Sequence, residues 1–306
     1  MAEKLERSVL LAPGSNWKMI EKTAASSADA VCIDLEDAVA SEEKPAGRAN
    51  VIRACQELDF GNKLRMFRMN GLDTHFAYRD LIEIIEAVGD KIDRVVVPKV
   101  NRPEDILFVA TLLEQIESYK GYSRAVGIEA LIETALGCVN IKEIAACSER
   151  LKGLVYGPGD YAASVQMPLE SIGEMDENDA LYPGHRWHYV MHALVSAGRA
   201  YGKQVTDGPF AGIKNLEGLT QACKISRAMG FDGKWCIHPG QLDIVNQTFV
   251  PSLKDIAWAQ QVLSEYEAAL KEGRGAISVK GKMIDVASLR MCQHTVEKAK
   301  SAGLLN

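Results

Sequence analysis

An alternation constrains this chain more than any single motif. Eight short apolar runs recur between longer amphipathic segments: Val9–Leu11, Ala30–Ile33, Leu64–Met69, Arg94–Val97, Ala125–Leu131, Leu154–Tyr156, Gln204–Thr206 and Lys234–Ile237. Most of these runs are followed by turn-forming or acidic residues and then by a helical pattern. Eight such strand–helix units over about 245 residues, roughly 30 apiece, predict a TIM-type (β/α)8 barrel of the α/β class. A doubly wound open sheet is the competing arrangement. No Gly-x-Gly-x-x-Gly follows an early strand, which argues against a dinucleotide-binding sheet. After Pro251 the pattern changes to a long helix over about 253–272, a Gly273-Arg274-Gly275 break, a hairpin-like segment over 276–282 and a last helix beginning near Asp285. We therefore divide the chain into a catalytic barrel, residues 1–249, and a C-terminal helical and hairpin lid extension, residues 250–306.

The chain has 306 residues and is 47% hydrophobic, enough for a large core. Its net charge of −6 is spread out and no basic block interrupts it, so neither nucleic acid nor an anionic membrane is an expected partner. No apolar run reaches the ~18 residues of a membrane span. The N-terminal residues carry acidic side chains and lead into only a short apolar run, unlike a secretory signal or a transit peptide. Seven scattered cysteines form no Cys-x-x-Cys pair, which predicts reduced, buried thiols and a cytoplasmic setting.

In a barrel of this kind the site forms at the C-terminal ends of the strands. The polar residues expected there are Asp34, Glu36 and Asp37 after the second strand, Arg68 at the third and Lys99 after the fourth. Glu129 and Glu133 fall at the fifth, Asp160 after the sixth, Asp207 after the seventh and His238 after the eighth. The Gly157-Pro158-Gly159 break before Asp160 lets backbone and carboxylate approach a ligand closely. Several carboxylates without a cysteine or histidine cluster suggest Mg2+, with Mn2+ as an alternative, over Zn2+. Arg68 supplies a planar cation for a carboxylate or a developing oxyanion. His185, His188 and His192 could share one helix face as metal ligands, but a packed or solvated face is the preferred reading. Carboxylates around Lys99 favour its charged form and a salt-bridging role over Schiff-base chemistry. The Glu- and Asp-rich segment between Gln166 and His185 is expected to be an active-site loop.

Several stretches carry a resemblance: Arg7–Asn16 (RSVLLAPGSN), Ile33–Val39 (IDLEDAV), Arg68–Thr74 (RMNGLDT), Ile132–Thr134 (IET) and Gly157–Ser164 (GPGDYAAS). Together they resemble the CitE-like branch of the HpcH/HpaI aldolase superfamily. Asp207–Phe210 (DGPF), Gly233–Pro239 (GKWCIHP) and Gly281–Ser288 (GKMIDVAS) look most like its malyl-CoA lyases. The resemblance implies a TIM barrel with a C-terminal lid, assembled as homotrimers or homohexamers. It implies Mg2+ on Glu133 and Asp160, and substrate contact by Arg68. It places Lys22 at the coenzyme A phosphates, and Leu11, Asn16, Gly159, Asp160, Ile237 and His238 along the acyl-CoA. Asp285, on the lid, would act as acid/base group in a neighbouring subunit's site, with Glu36 or Asp37 orienting Arg68 and metal-bound water. A second arginine that contacts coenzyme A in malyl-CoA lyases is Asn16 here. The segment between Gln166 and His185 is shorter than in many of them.

The activity implied is reversible, Mg2+-dependent cleavage of a 3-hydroxyacyl-CoA. Malyl-CoA or beta-methylmalyl-CoA would give glyoxylate and acetyl-CoA or propionyl-CoA. Citramalyl-CoA cleavage, malyl-CoA hydrolysis and a citrate lyase beta subunit are the nearest rivals. A non-catalytic barrel that binds ligands is the rival from a different class.

Overall fold

The computed structural model describes residues 5–182, 184–271, 273 and 275–305. They form two compact units, one spanning Glu6–Asn246 and one drawn chiefly from residues 247–305.

The first unit is an eight-stranded barrel. In chain order it runs β1 (Ser8–Pro13), α1 (Trp17–Ala24), β2 (Ala30–Asp34), α2 (Lys44–Glu57), β3 (Leu64–Arg68), α3 (Ala77–Val88), β4 (Arg94–Val97) and α4 (Pro103–Lys120). It continues with β5 (Gly127–Ile132), α5 (Ala135–Val139), α6 (Ile141–Ala146), β6 (Leu151–Tyr156), α7 (Pro158–Ser164), α8 (Glu177–Leu181) and α9 (His188–Ala200). β7 (Gln204–Asp207), α10 (Leu216–Met229), β8 (Gly233–Cys236) and α11 (Leu242–Thr248) follow. All eight strands pair in parallel and in sequence order, and β8 pairs back to β1, so the sheet closes. Closure leaves no unpaired edge and gives the barrel one C-terminal face.

The strands differ from expectation mainly at their ends. β5 starts at Gly127 rather than Ala125, and β6 starts at Leu151, three residues before its apolar run. Lys152 is exposed in β6 and breaks the apolar signal there. No described helix is long and apolar enough to cross a membrane.

Alternation along the strands orders the interior. One buried cluster contains Val9, Ala30, Cys32, Leu64, Met66, Val96, Leu131, Val155 and Trp235, with Leu11 packed on it. Side chains two apart on a strand share a face. The same face therefore continues to Pro13 on β1, Asp34 on β2, Arg68 on β3, Glu133 after β5, Gly157 after β6 and Ile237 after β8. An apolar layer thus floors the barrel mouth, and the next layer is chemical.

The second unit holds α12 (Leu253–Lys271), β9 (Ile277–Val279), β10 (Lys282–Ile284) and α13 (Val286–Ser301). β9 and β10 pair antiparallel through Lys280-Gly281, both at positive φ. That geometry suits a two-residue hairpin. Ala259, Val262 and Tyr266 on α12 pack with Val279, Ile284 and Cys292. Asp285 is the N-cap of α13 and accepts from the Ser288 amide at 2.9 Å and its hydroxyl at 3.0 Å. The expected helix end at Glu272 and the break at Arg274 lie outside the described residues.

Candidate active site

A cavity of about 410 Å3 opens at the C-terminal ends of the barrel strands. Leu11, Asp34, Asp37, Arg68, Glu133, Gly159, Asp160 and Ile237 line it, and Pro13, Met19, Gly157, Pro158, Ile172, Pro209 and Trp235 are also in the wall.

Asp34 and Arg68 are register partners at the ends of β2 and β3. Asp34 accepts two hydrogen bonds from Arg68, Nε to Oδ1 and Nη2 to Oδ2, each 2.7 Å. The amides of Glu36 and Ala38 also donate to Asp34, at 2.9 and 3.2 Å. Burial pushes the Asp34 carboxyl up, but the Arg68 charge and this fork hold it below its ordinary value. Burial likewise opposes the Arg68 charge, and Asp34, Glu36 and Glu133 more than compensate, so the guanidinium stays ionised. Its remaining face reaches Glu36 at 3.0 Å and lies 5.8 Å from the centre of the Trp235 ring.

Glu36 links the arginine to Lys99, whose ammonium pairs with it closely and with Asp37 at 3.6 Å. Burial lowers the Lys99 pKa and Glu36 and Asp37 raise it, leaving it well above the ordinary value. This ammonium serves as a fixed cation, as expected. The Lys99 backbone sits at φ 52°, and its amide donates to Glu133 at 2.8 Å. A left-handed lysine is uncommon; here it turns the amide onto a site carboxylate.

Glu133 is buried, and burial together with the Asp160 charge pushes its pKa up to about 8. Asp160, in the first turn of α7, is half-buried. The Asp160 charge adds to the cost of ionising Glu133, a cost that a cation relieves. Gly157 makes the approach feasible: a Cβ there would lie 2.4 Å from the Glu133 Cβ and 2.5 Å from its Oε2. Among the described residues no three His, Cys, Asp or Glu side chains gather as a complete metal cage. Two carboxylates beside an open cavity suit Mg2+, which keeps several waters or substrate oxygens.

Two rim expectations are corrected. Glu129 stands two residues before the Leu131 layer, inside β5. It accepts from Arg94 at 2.6 Å, and Arg94 also bonds Glu6 at 2.5 Å and Gln204 at 2.7 Å. This buried group lies toward the N-terminal end of the barrel. Asp207 is one residue out of phase with the inward Thr206, so it faces away from the barrel axis. It pairs with Lys234 at 2.6 Å and accepts from Ser226 at 2.5 Å.

Other expected residues are placed as follows. Asn16 caps α1, accepting from the Met19 amide at 3.1 Å, and Lys22 is exposed in its last turn. His238 is exposed and accepts from the Gly240 amide, while the Ile237 amide donates to Gln241. Asn16, Lys22 and His238 do not line the cavity. Ile172 brings the 166–185 segment to its wall. The His188 and His192 rings meet at 4.3 Å, tilted by 53°, on α9 with His188 exposed, and His185 lies before that helix begins, so the three do not share one helix face.

Lys44 was not singled out. Its buried ammonium donates to the Leu35 and Glu36 carbonyls at 2.8 and 2.9 Å and so fixes the turn carrying Glu36. A lysine opening a helix, against the dipole, was the available signal.

Fold, mouth chemistry and sequence converge on one class. A family model described as HpcH/HpaI aldolase/citrate lyase matches residues 7–239, and the chain belongs to that family. It is 40% identical over 300 residues to an L-malyl-CoA/beta-methylmalyl-CoA lyase of Cereibacter sphaeroides, covering 96% of this chain and 94% of that one. A (3S)-malyl-CoA thioesterase of the same species is 36% identical over 295 residues, covering 96% and 95%. Among solved structures, CitE from Mycobacterium tuberculosis in complex with magnesium, acetoacetate and coenzyme A is similar, with a TM-score of 0.76. Its identity is 26%, with 98% of each chain covered.

Proposed function

We propose that this chain is a Mg2+-dependent carbon–carbon lyase that reversibly cleaves a 3-hydroxyacyl-CoA. The preferred substrate class is malyl-CoA or beta-methylmalyl-CoA, giving glyoxylate and acetyl-CoA or propionyl-CoA. The observation that carries this reading is the Glu133–Asp160 pair facing a clamped Arg68 across one open cavity. The 40% identical lyase and the CitE complex with magnesium and coenzyme A support it.

Glu133 and Asp160 would hold the ion, which supplies Lewis-acid polarisation of substrate oxygens. The bond that breaks joins Cα and Cβ of the acyl chain. A base removes the hydroxyl proton, the carbonyl of the 2-oxo acid forms, and the bonding pair passes to the thioester as an enolate. Arg68, kept charged and aimed by Asp34 and Glu36, stabilises that enolate oxygen. Protonation of the enolate at Cα then gives the shorter acyl-CoA. Lys99 fixes Glu36, and Asp37 adds charge at the cavity edge. We assign the acid/base role to Asp285 of the partner subunit, in a homotrimer or homohexamer. Such proton transfer contributes roughly 10²–10⁴-fold. Leu11, Gly159 and Ile237 would face the acyl arm, with Asn16, Lys22 and His238 farther along the coenzyme A.

Incubation with acetyl-CoA and Mg2+ plus glyoxylate, then pyruvate, with the products identified by mass, tests the reading. Malyl-CoA from glyoxylate supports it. Citramalyl-CoA from pyruvate alone would reassign the 2-oxo acid. Hydrolysis of supplied malyl-CoA to malate and free CoA, with no glyoxylate formed, would instead match the thioesterase relative.

A further inference from the structure

A second cavity, of about 190 Å3, lies on the other side of the same strands. Tyr156 and Asp207 end β6 and β7, Lys234 is the second residue of β8, and all three lie out of phase with the inward layer and line the cavity. Trp187, Met191, Phe210 and Ile225 give it an apolar body. Gly173–Met175 cover it. That cover is tied down: Ala211 donates to the Ile172 carbonyl at 2.8 Å, and Glu174 accepts from Ser171 at 2.6 Å and Asn215 at 2.7 Å.

Two polar atoms in this wall are buried without a partner among the described residues, the Tyr156 hydroxyl and His185 Nδ1. A buried polar group without a hydrogen bond is costly, and native sites satisfy it with water or a ligand. Of the charged groups on the wall, Glu174 spends one oxygen on Ser171 and the other on Asn215, and the other two pair with each other. Asp207 and Lys234 pair at 2.6 Å, and Ser226 donates to Asp207. Burial pushes the His185 pKa down, so its ring is neutral near pH 7 and offers one donor and one acceptor. An entering anion would find no free cation, and a cation only the Glu174 carboxylate, whose two oxygens already accept from Ser171 and Asn215, whereas a neutral hydroxyl would find two open partners. The volume exceeds the ~150 Å3 of an apolar cavity that holds benzene.

We propose that this cavity is a second small-molecule site, selective for an uncharged, phenol-sized molecule whose hydroxyl meets Tyr156 and His185. Pro158 and Pro209 line both this cavity and the barrel mouth, so an occupant would sit behind the wall of the candidate active site. Occupancy does not depend on the reaction proposed above.

The test titrates the full-length protein with phenol, toluene, benzoate and benzylamine, by calorimetry and ligand-observed NMR, and soaks crystals with phenol. Phenol should bind saturably, with one molecule in the cavity and its hydroxyl on Tyr156 or His185. Toluene should bind roughly tenfold more weakly, because it leaves the polar atoms unpaired. Tyr156→Phe should weaken phenol by a similar factor, and Ala222→Phe, which fills the cavity, should abolish it. Ordered water alone in the soaked cavity, or benzoate or benzylamine binding as tightly as phenol, would overturn the proposal. The wild-type titrations and soak decide the matter even if a variant fails to fold.

Discussion

Asp34 grips Arg68 across the β2–β3 register through two parallel hydrogen bonds of 2.7 Å. The fork fixes the plane of the guanidinium as well as its charge. Asp34→Asn keeps one acceptor but loses the charge and the second bond. It should cost about 3 kcal/mol of stability, as expected when a buried ion loses part of its compensation. Turnover should fall by roughly 10²-fold. Urea unfolding and kcat/KM on malyl-CoA measure both, and an unchanged kcat/KM would contradict the clamp.

Gly157 borders Glu133 so closely that even a methyl group has no room. Its φ of −106° is open to any residue, so the constraint is the neighbour and not the backbone. Gly157→Ala should displace Glu133 and lower activity by about 10²-fold while preserving the barrel. Circular dichroism checks the fold and steady-state kinetics the loss.

Asp160 is tested by metal titration. Outer contacts to a ligand already cost 10–100-fold in metal affinity, so Asp160→Asn should raise the half-saturating Mg2+ concentration by at least about tenfold. Unchanged Mg2+ dependence and turnover would remove Asp160 from the metal site.

Asp285 and Arg68 are proposed to meet across subunits. Asp285→Ala and Arg68→Ala proteins should each be inactive. Unfolding and refolding them together should restore activity in hybrids that pair one intact lid with one intact mouth. Hybrids shown to form by native mass spectrometry, yet inactive, would place Asp285 in its own subunit's chemistry or outside it.

Glu6 sets an expected pH dependence. Burial and the charge of Glu129 push its pKa well above 4.5, against the pull of Arg94. A carboxyl raised on folding binds its proton more tightly in the native state. Its contribution is complete below 4.5 and is lost as pH rises through the folded value. Glu6→Gln should therefore flatten the decline in Tm above pH 4.5 and melt higher than wild type at alkaline pH. An identical slope in both proteins would refute this.

Much of the site was legible in order but not in direction. Asp34, Arg68, Glu133 and Asp160 all come from strand ends that the alternation marked, and they share one cavity. Glu129 and Asp207 carried the same mark and failed for different reasons, Glu129 on height and Asp207 on parity. A strand end specifies height in the barrel, while parity decides which way the side chain faces. Counting in twos from Leu131 puts Glu129 a layer below the mouth, and counting from Thr206 turns Asp207 outward. That signal was in the sequence. The Lys99 amide on Glu133 had no such signal, because it depends on a left-handed residue held by its surroundings.

The sequence alone determined the closed eight-strand barrel, the family, and the order in which charged residues arrive at its mouth. Periodicity and turn chemistry are local, and they suffice for the barrel and the order, while the family rests on the resemblance of its motifs. Tertiary structure decided which carboxylate clamps the arginine, which shares a burial penalty with its neighbour, and which pairs behind the wall. Those outcomes depend on distances between strands far apart in sequence, and on the water that closing the barrel removes. Burial and the Asp160 charge turned Glu133 from an ordinary carboxylate into one that titrates near 8.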